Sequence, residues 1–360
     1  MKTTHTVDIC IIGGGQAALA CAYFLRRTNL SYVILDREQH AGGAWQHAWD
    51  SLQLFSPASW SSISGWLMPP TQHAYPTKAE VLNYLSNYEI RYQLPILRPI
   101  DVKTVTPLDN DLLVQSAEQN WQAKAVISAT GTWSHPYIPY YSGFENFKGM
   151  SLHSAHYQNP EALQGQRVLI VGGGNSAAQL VAEISQVATT IWVTQTPPQF
   201  LADDVDGRVL FLRATERLKA QQEGRSIEQP LGGFGDIVMV DSVKDARTRG
   251  VLVSHPAFSH FTEHHVVWEN GEMQEIDRVI WCTGFRPALS HLKALNIIEE
   301  NQRVLTQESR SIKQPNLWLV GYGDWTGTAS ATLIGVNRTA RHAVAEIKAY
   351  LDQRDDFSSP

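Results

Sequence analysis

Residues 7–20 read VDICIIGGGQAALA, and residues 167–180 read RVLIVGGGNSAAQL. Each stretch is a β-branched run, three glycines and an Ala-rich continuation. Each therefore predicts strand, tight turn and helix in the order a dinucleotide fingerprint requires. In the first, Gly13 permits the sharp turn, Gly15 admits a pyrophosphate close to the backbone, and Ala18 lets the helix pack on the strand. The helix N-terminus, carrying Gln16 and Ala17, faces the phosphate charge. Asp36 closes the next apolar run, Tyr32 to Leu35, at 36 − 13 = 23 residues past the first glycine. At that distance a carboxylate accepts hydrogen bonds from ribose hydroxyls, and Arg37 follows it.

The second fingerprint places Gly172, Gly174, Asn175, Ser176 and Ala177 at the equivalent turn, ahead of a helix to about Val187 and a strand from Thr190 to Thr194. That strand ends at Gln195-Thr196-Pro197. An acid there would favour NADH and an Arg would favour the 2′-phosphate of NADPH; Gln195 and Thr196 are neither. The expected cofactors are one dinucleotide at each turn, with NADH and NADPH both accepted at the second.

Composition excludes several classes. At 360 residues the chain is long enough for two domains. A net charge of −6 with interspersed signs provides no basic stripe for nucleic acid. The longest apolar runs are strand-length, so no membrane span is expected. Ile9 to Ile12 is too short for a signal-peptide core, so a cytoplasmic location is the default expectation. Cys10, Cys21 and Cys282 form no C-x-x-C pair, which removes the chemistry of the disulfide reductases that pass electrons to sulfur. The acidic run Asp203 to Asp206 reads as charge ahead of a helix from Val209 to Gln222, and His264-His265 would face opposite sides of a strand; no metal is expected.

The organisation is discontinuous. Thr77 and Glu80 form a capping-box pattern ahead of a helix, Arg98 to Ser128 alternates like a β-meander, and Thr130-Gly131 and Thr283-Gly284 mark chain crossings. Leu317 to Val320 is a late strand that needs an existing sheet, most naturally the first, and Ser330 to Leu351 reads as a long helix. The expected fold is α/β with two Rossmann-like dinucleotide-binding domains, the second inserted into the first: residues 1–160 and 285–360 form one, 161–284 the other. Pro230 to Gly250 reads as a long loop, a candidate cover for a site.

Between the fingerprints lies FKGMSLHSAHY, residues 147–157. This F-x-G-x-x-x-H-x-x-x-Y pattern at Phe147, Gly149, His153 and Tyr157, taken with Gly42-Gly43-Ala44-Trp45 and the two glycine turns, resembles the class B flavoprotein monooxygenases. Within that class the chain is similar to the short bacterial flavin-containing monooxygenases, including those associated with arsenic-resistance operons. The resemblance implies FAD in the first site, NADPH or NADH in the second, and transfer of one oxygen atom from O2, through a flavin hydroperoxide, to a small soft nucleophile. Tyr157 without a following Pro resembles the N- and S-oxygenating branch, so a thioether or amine is expected, with a ketone left open.

The resemblance also distributes roles. Gly43 and Trp45 join the FAD set, as do Val102, Thr130 and Gly131, and Asp324 resembles the late acid that contacts the ribityl chain. Phe55 stands where larger members place an Asn over the flavin, making it a flavin-face candidate that lacks that hydrogen bond. His153 is an interdomain or gating candidate. The competing reading is an NAD(P)H-flavin oxidase or reductase that releases hydrogen peroxide without oxygenating anything. The expected partners are a small substrate and O2, and a homodimer stays open.

Overall fold

A computed structural model describes residues 2–223, 225 and 236–358. Among the described residues six α-helices are formed: α1 Gln16–Leu25, α2 Lys78–Tyr92, α3 Asn175–Ile184, α4 Gly207–Gln222, α5 Asp241–Thr248 and α6 Val336–Ser358. The chain divides into two compact units, one of residues 1–46, 57–135 and 286–360, the other of residues 47–56 and 136–285.

The first unit is built on a nine-stranded sheet. Its centre is parallel: Thr3–Ile12 lies between Tyr32–Leu35 and Gln119–Ser128, with Ile9 opposite both Tyr32 and Ala125. Their buried portions, 9–12, 33–35 and 125–127, read as apolar runs because both faces are covered there. Ile9, Cys10 and Ile11 are fully buried, and the buried small residues of α1, from Ala17 to Ala22, let that helix lie close. The meander expected over 98–128 is present as Val102–Leu108, Asp111–Ser116 and Gln119–Ser128, paired antiparallel. The late strand Leu317–Leu319 pairs parallel with Gln119–Ser128, Leu317 opposite Val126. The capping box at α2 is complete, Thr77 accepting from the Glu80 N–H while Glu80 accepts from the Thr77 N–H at 2.8 Å.

The second unit carries a five-stranded, wholly parallel sheet in the order Ser254–His255, Thr189–Val193, Arg167–Val171, Arg278–Trp281, Met150–His153. A three-stranded antiparallel sheet of His260–Phe261, His265–Val267 and Met273–Glu275 adjoins it in sequence. Phe258, Phe261, Trp268 and Trp281 form one buried aromatic cluster.

Four boundaries differ from the sequence expectation. Residues 136–160 group with the second unit, because Met150–His153 bonds in register to Arg278–Trp281 as an edge strand. Residues 47–56 group there too: the Asp50 N–H donates to the Gln158 carbonyl at 2.9 Å and the Gly207 N–H to the Phe55 carbonyl at 2.7 Å. The stretch 230–250 contains α5; its residues 230–235 lie outside the described residues. The last helix begins at Val336, after turns in which Thr332 and Gly335 bond locally, and continues to Ser358.

Candidate functional site

At the first glycine turn the three glycines answer to different causes. Gly13 has φ +105°, and a side-chain Cβ there would lie 2.6 Å from the Ala129 carbonyl oxygen. At Gly14 a Cβ would collide with the Asp36 carboxyl. Gly15 is another matter: a Cβ there would meet only the Gly43 Cα, at 3.9 Å, an ordinary contact. No neighbouring protein atom requires glycine at position 15, and the bare backbone there leaves room for an outside group to approach closely. α1 starts at this point with no capping side chain and no acid in its first turn, so its N-terminal amides and the partial positive end of the helix fit a phosphate.

Around that turn the chain builds a polar frame. Gln16 donates to the Ala331 carbonyl at 2.7 Å and accepts from the Trp45 indole N–H at 2.9 Å, tying the Gly43-Ala44-Trp45 turn to the C-terminal loop. Ala17 is buried beneath Gly321, where a Cβ would come within 2.6 Å. Asp36 is only 2% exposed. Its carboxylate accepts from the Arg98 Nε at 2.7 Å and the Glu38 N–H at 3.2 Å, while Arg98 forks onto Glu89 at 2.7 Å through both terminal nitrogens. Arg98 and Glu89 carry no recognisable motif in the sequence. Arg37 points into solvent and pairs with Glu38. Val102 is a strand residue opposite Ser116 that packs on the core.

Thr130 and Gly131 sit in a network the sequence did not disclose. The Tyr322 hydroxyl lies 2.5 Å from Ser128 Oγ and 2.7 Å from Thr130 Oγ1, and it accepts from the Thr130 N–H. Ser128 Oγ also bonds His291 Nε2 at 2.9 Å, and the Ala288 N–H donates to the Gly131 carbonyl. Burial lowers the pKa of His291 to about 4, with His135 adding to the shift. The imidazole is thus neutral at pH 7. Asp324, two residues past Tyr322, is exposed and spends one oxygen on the Ala329 N–H at 3.1 Å.

The second glycine turn repeats the design. Gly172 has φ +141° and no room for a Cβ against the Cys282 carbonyl; its own carbonyl accepts from the Trp192 indole at 2.6 Å. α3 starts after Gly174, again with no capping side chain and no acid in its first turn. Ser176 is exposed and Ala177 buried. Gln195 and Thr196 are exposed just past Thr189–Val193. Asn175 does not point freely outward: its carboxamide bonds the backbone of Asp236 and Val238.

His153 and Phe55 both fall in this second unit. His153 ends the strand Met150–His153, its ring edge-on to Phe285. Its Nδ1 accepts from the Ala155 N–H at 3.1 Å, which leaves the proton on Nε2. Burial lowers its pKa, with the Gly284 backbone pulling the other way, so it is a neutral ring. Tyr157, the last residue of the motif, is buried and donates to Glu183 of α3 at 2.9 Å. Phe55 is half-buried, and its carbonyl holds the Gly207 N–H.

The cysteines carry no reactive thiolate: burial pushes Cys21 and Cys282 up to about 12, and Cys10 further in the same direction. Among the described residues no cluster of His, Cys, Asp or Glu could hold a metal ion, and no helix is long and apolar enough to cross a membrane.

Known proteins bear on this arrangement. The family profile described as Pyridine nucleotide-disulphide oxidoreductase matches residues 10–229. The flavin-containing monooxygenase from Stenotrophomonas maltophilia is 53% identical, with 96% of this chain and 99% of that one covered and a TM-score of 0.89. The chain belongs to that oxidoreductase family, in its flavin-containing monooxygenase branch. A member named as an uncharacterized CzcO-like oxidoreductase, from Geobacillus kaustophilus, is 28% identical over 345 residues, 95% of this chain and 99% of its own. Senecionine N-oxygenase of Tyria jacobaeae is 24% identical over 348 residues, 87% of this chain and 66% of its own. Membership makes this flavin-containing monooxygenase an oxidoreductase that uses FAD and NAD(P)H.

Proposed function

We propose that the protein takes electrons from NADH or NADPH and uses O2 to oxygenate a small soft nucleophile, a thioether or an amine. The observation that carries this reading is the pair of glycine turns in separate units, each opening a helix with no capping side chain and no acid in its first turn, in a chain whose three cysteines have their thiol pKa raised by burial. Two dinucleotides make an electron path, and without a sulfur acceptor O2 is the remaining sink.

FAD supplies the two-electron chemistry when bound, accepting hydride and activating oxygen. The chain's own residues bind and orient it. Gly15 with the N-terminus of α1 takes the pyrophosphate, Asp36 takes the ribose with its carboxylate held in place by Arg98, and Gly43 and Trp45, fixed by Gln16, flank the same turn. Val102 and Arg37 border the set. Tyr322 holds Thr130 and Gly131 in position, and the free oxygen of Asp324 serves the ribityl hydroxyls. In the second unit Gly172, Gly174, Ser176 and Ala177 receive the nicotinamide dinucleotide, while Gln195 and Thr196 meet its 2′ position without discriminating.

No acid or base is required from His153, whose neutral ring is committed to the Ala155 N–H. It shapes the motif that Tyr157 fastens to α3. Phe55 offers an apolar face, which excludes water without donating a hydrogen bond. Anaerobic mixing with NADPH tests the first half: a yellow protein should bleach. Product analysis on an aryl thioether in air tests the second, and peroxide alone would favour the oxidase reading.

A further inference from the structure

Asn175 occupies the first position of α3, where a fingerprint residue would be expected to face the dinucleotide. Its carboxamide instead bonds backbone through both its nitrogen and its oxygen. Nδ2 donates to the Asp236 carbonyl at 2.9 Å and Oδ1 accepts from the Val238 N–H at 2.8 Å. That is the bonding a neighbouring strand would supply, delivered by one side chain across 61 and 63 residues of sequence. The residue between, Ile237, is fully buried and bonds the other way. Its N–H donates to the Gln199 carbonyl at 2.8 Å, and its carbonyl accepts from the Leu201 N–H at 2.9 Å.

These bonds form a closed series. It runs from the N-terminus of α3 through Asn175 to residues 236–238, across to 199–201, and back along the chain to Gln195-Thr196 at the end of Thr189–Val193. Val238, Met239 and Val240 are buried behind it, and α5 follows directly. Among the described residues, the segment 199–201 meets residues 236–238 as an isolated bridge, Phe200 opposite Ile237, outside the named strands. The bridge to 236–238, together with the edge contact of Phe200 on Trp192, holds the backbone that follows Gln195-Thr196, and Asn175 ties that bridge to the start of α3.

We infer that Asn175 is a positioning residue for the nicotinamide dinucleotide: it acts by latching the wall formed by residues 236–238 and 199–201 to the start of α3, not by touching the ligand. The inference rests on the proposal that this turn binds NAD(P)H. An Asn is suited to the task because its planar carboxamide carries a donor nitrogen and an acceptor oxygen side by side. An Asp keeps the acceptor and sets a charge against the Asp236 carbonyl.

The test uses the full-length FAD-loaded protein with Asn175→Ala and Asn175→Ser, the second as the milder change should Ala fail to fold. Wild-type protein mixed anaerobically with NADH and NADPH first checks the parent reading: no flavin reduction by either would overturn both. Given reduction, two readouts decide. Hydrogen exchange without any dinucleotide should be at least tenfold faster at the Val238 and Leu201 amides in the variants. KM for both dinucleotides should rise at least fivefold with kcat within twofold of wild type. Faster exchange with unchanged KM would reduce Asn175 to a structural pin. Raised KM with unchanged exchange would make it a direct ligand. Either result overturns the inference.

Discussion

The backbones of Gly43 and Gly15 lie against one another: a Cβ on Gly43 would sit 2.7 Å from the Gly15 Cα, yet a Cβ on Gly15 would clear everything but that same residue at 3.9 Å. The asymmetry separates a glycine that packing requires from one that packing leaves free, the one proposed above to admit the pyrophosphate. Gly15→Ala should therefore fold, with a melting temperature of the flavin-free protein close to wild type, while binding FAD at least tenfold more weakly. Gly13→Ala should fail earlier, since positive φ and the Ala129 carbonyl both oppose it. Differential scanning calorimetry of the flavin-free proteins and fluorescence titration with FAD separate the two. Unchanged FAD affinity in Gly15→Ala would remove the ligand explanation for that glycine.

His291 gives the protein a pH signature. Its folded pKa lies near 4, below the ordinary 6.5, so the unfolded chain binds the extra proton first. Stability is full above about pH 6.5 and falls as pH drops toward 4, by at most about 3 kcal/mol at about 1.4 kcal/mol per unit. His291→Gln should flatten that part of the curve. Urea melts at pH 7 and pH 5 check it; an equal slope in both proteins would place the pH dependence elsewhere.

Much of this was legible in the sequence, because turn chemistry is local. The glycine turns, the capping box at Thr77 and the pairing of Leu317–Leu319 with the first sheet follow from spacing and apolar runs. What was not legible depends on partners distant in the chain. Arg98 and Glu89 lie 62 and 53 residues from Asp36 (98 − 36 = 62, 89 − 36 = 53), and nothing near them signals the pair. Tyr322 stood beside the recognised Asp324, but its bonds to Ser128 and Thr130 needed the fold. The grouping of 136–160 with the second unit was hidden because a four-residue edge strand, Met150–His153, has too little periodicity to declare its sheet. Asn175 was read as a ligand contact; its two backbone bonds show what else the residue does.

With the nicotinamide dinucleotide placed as proposed, its choice follows from what Gln195 and Thr196 lack. A charge-assisted hydrogen bond contributes about 1.5 to 3 kcal/mol, and each 1.4 kcal/mol is about tenfold. With neither Arg nor acid at these exposed positions, catalytic efficiencies for NADH and NADPH should agree within about one order of magnitude. Gln195→Arg should shift the ratio about tenfold or more toward NADPH. Steady-state kinetics with both dinucleotides measure it, and a hundredfold bias in the wild type would mean another residue reads the 2′ position.

Oxygen transfer itself is the claim on which the rest depends, and isotope labelling reads it directly. The FAD-loaded protein is incubated with NADPH, methyl p-tolyl sulfide and 18O2, and the sulfoxide is analysed by mass spectrometry alongside a peroxide assay with catalase as control. The account predicts a sulfoxide carrying one 18O atom, formed with catalase present. Consumption of NADPH matched by hydrogen peroxide, with no labelled sulfoxide, would contradict it.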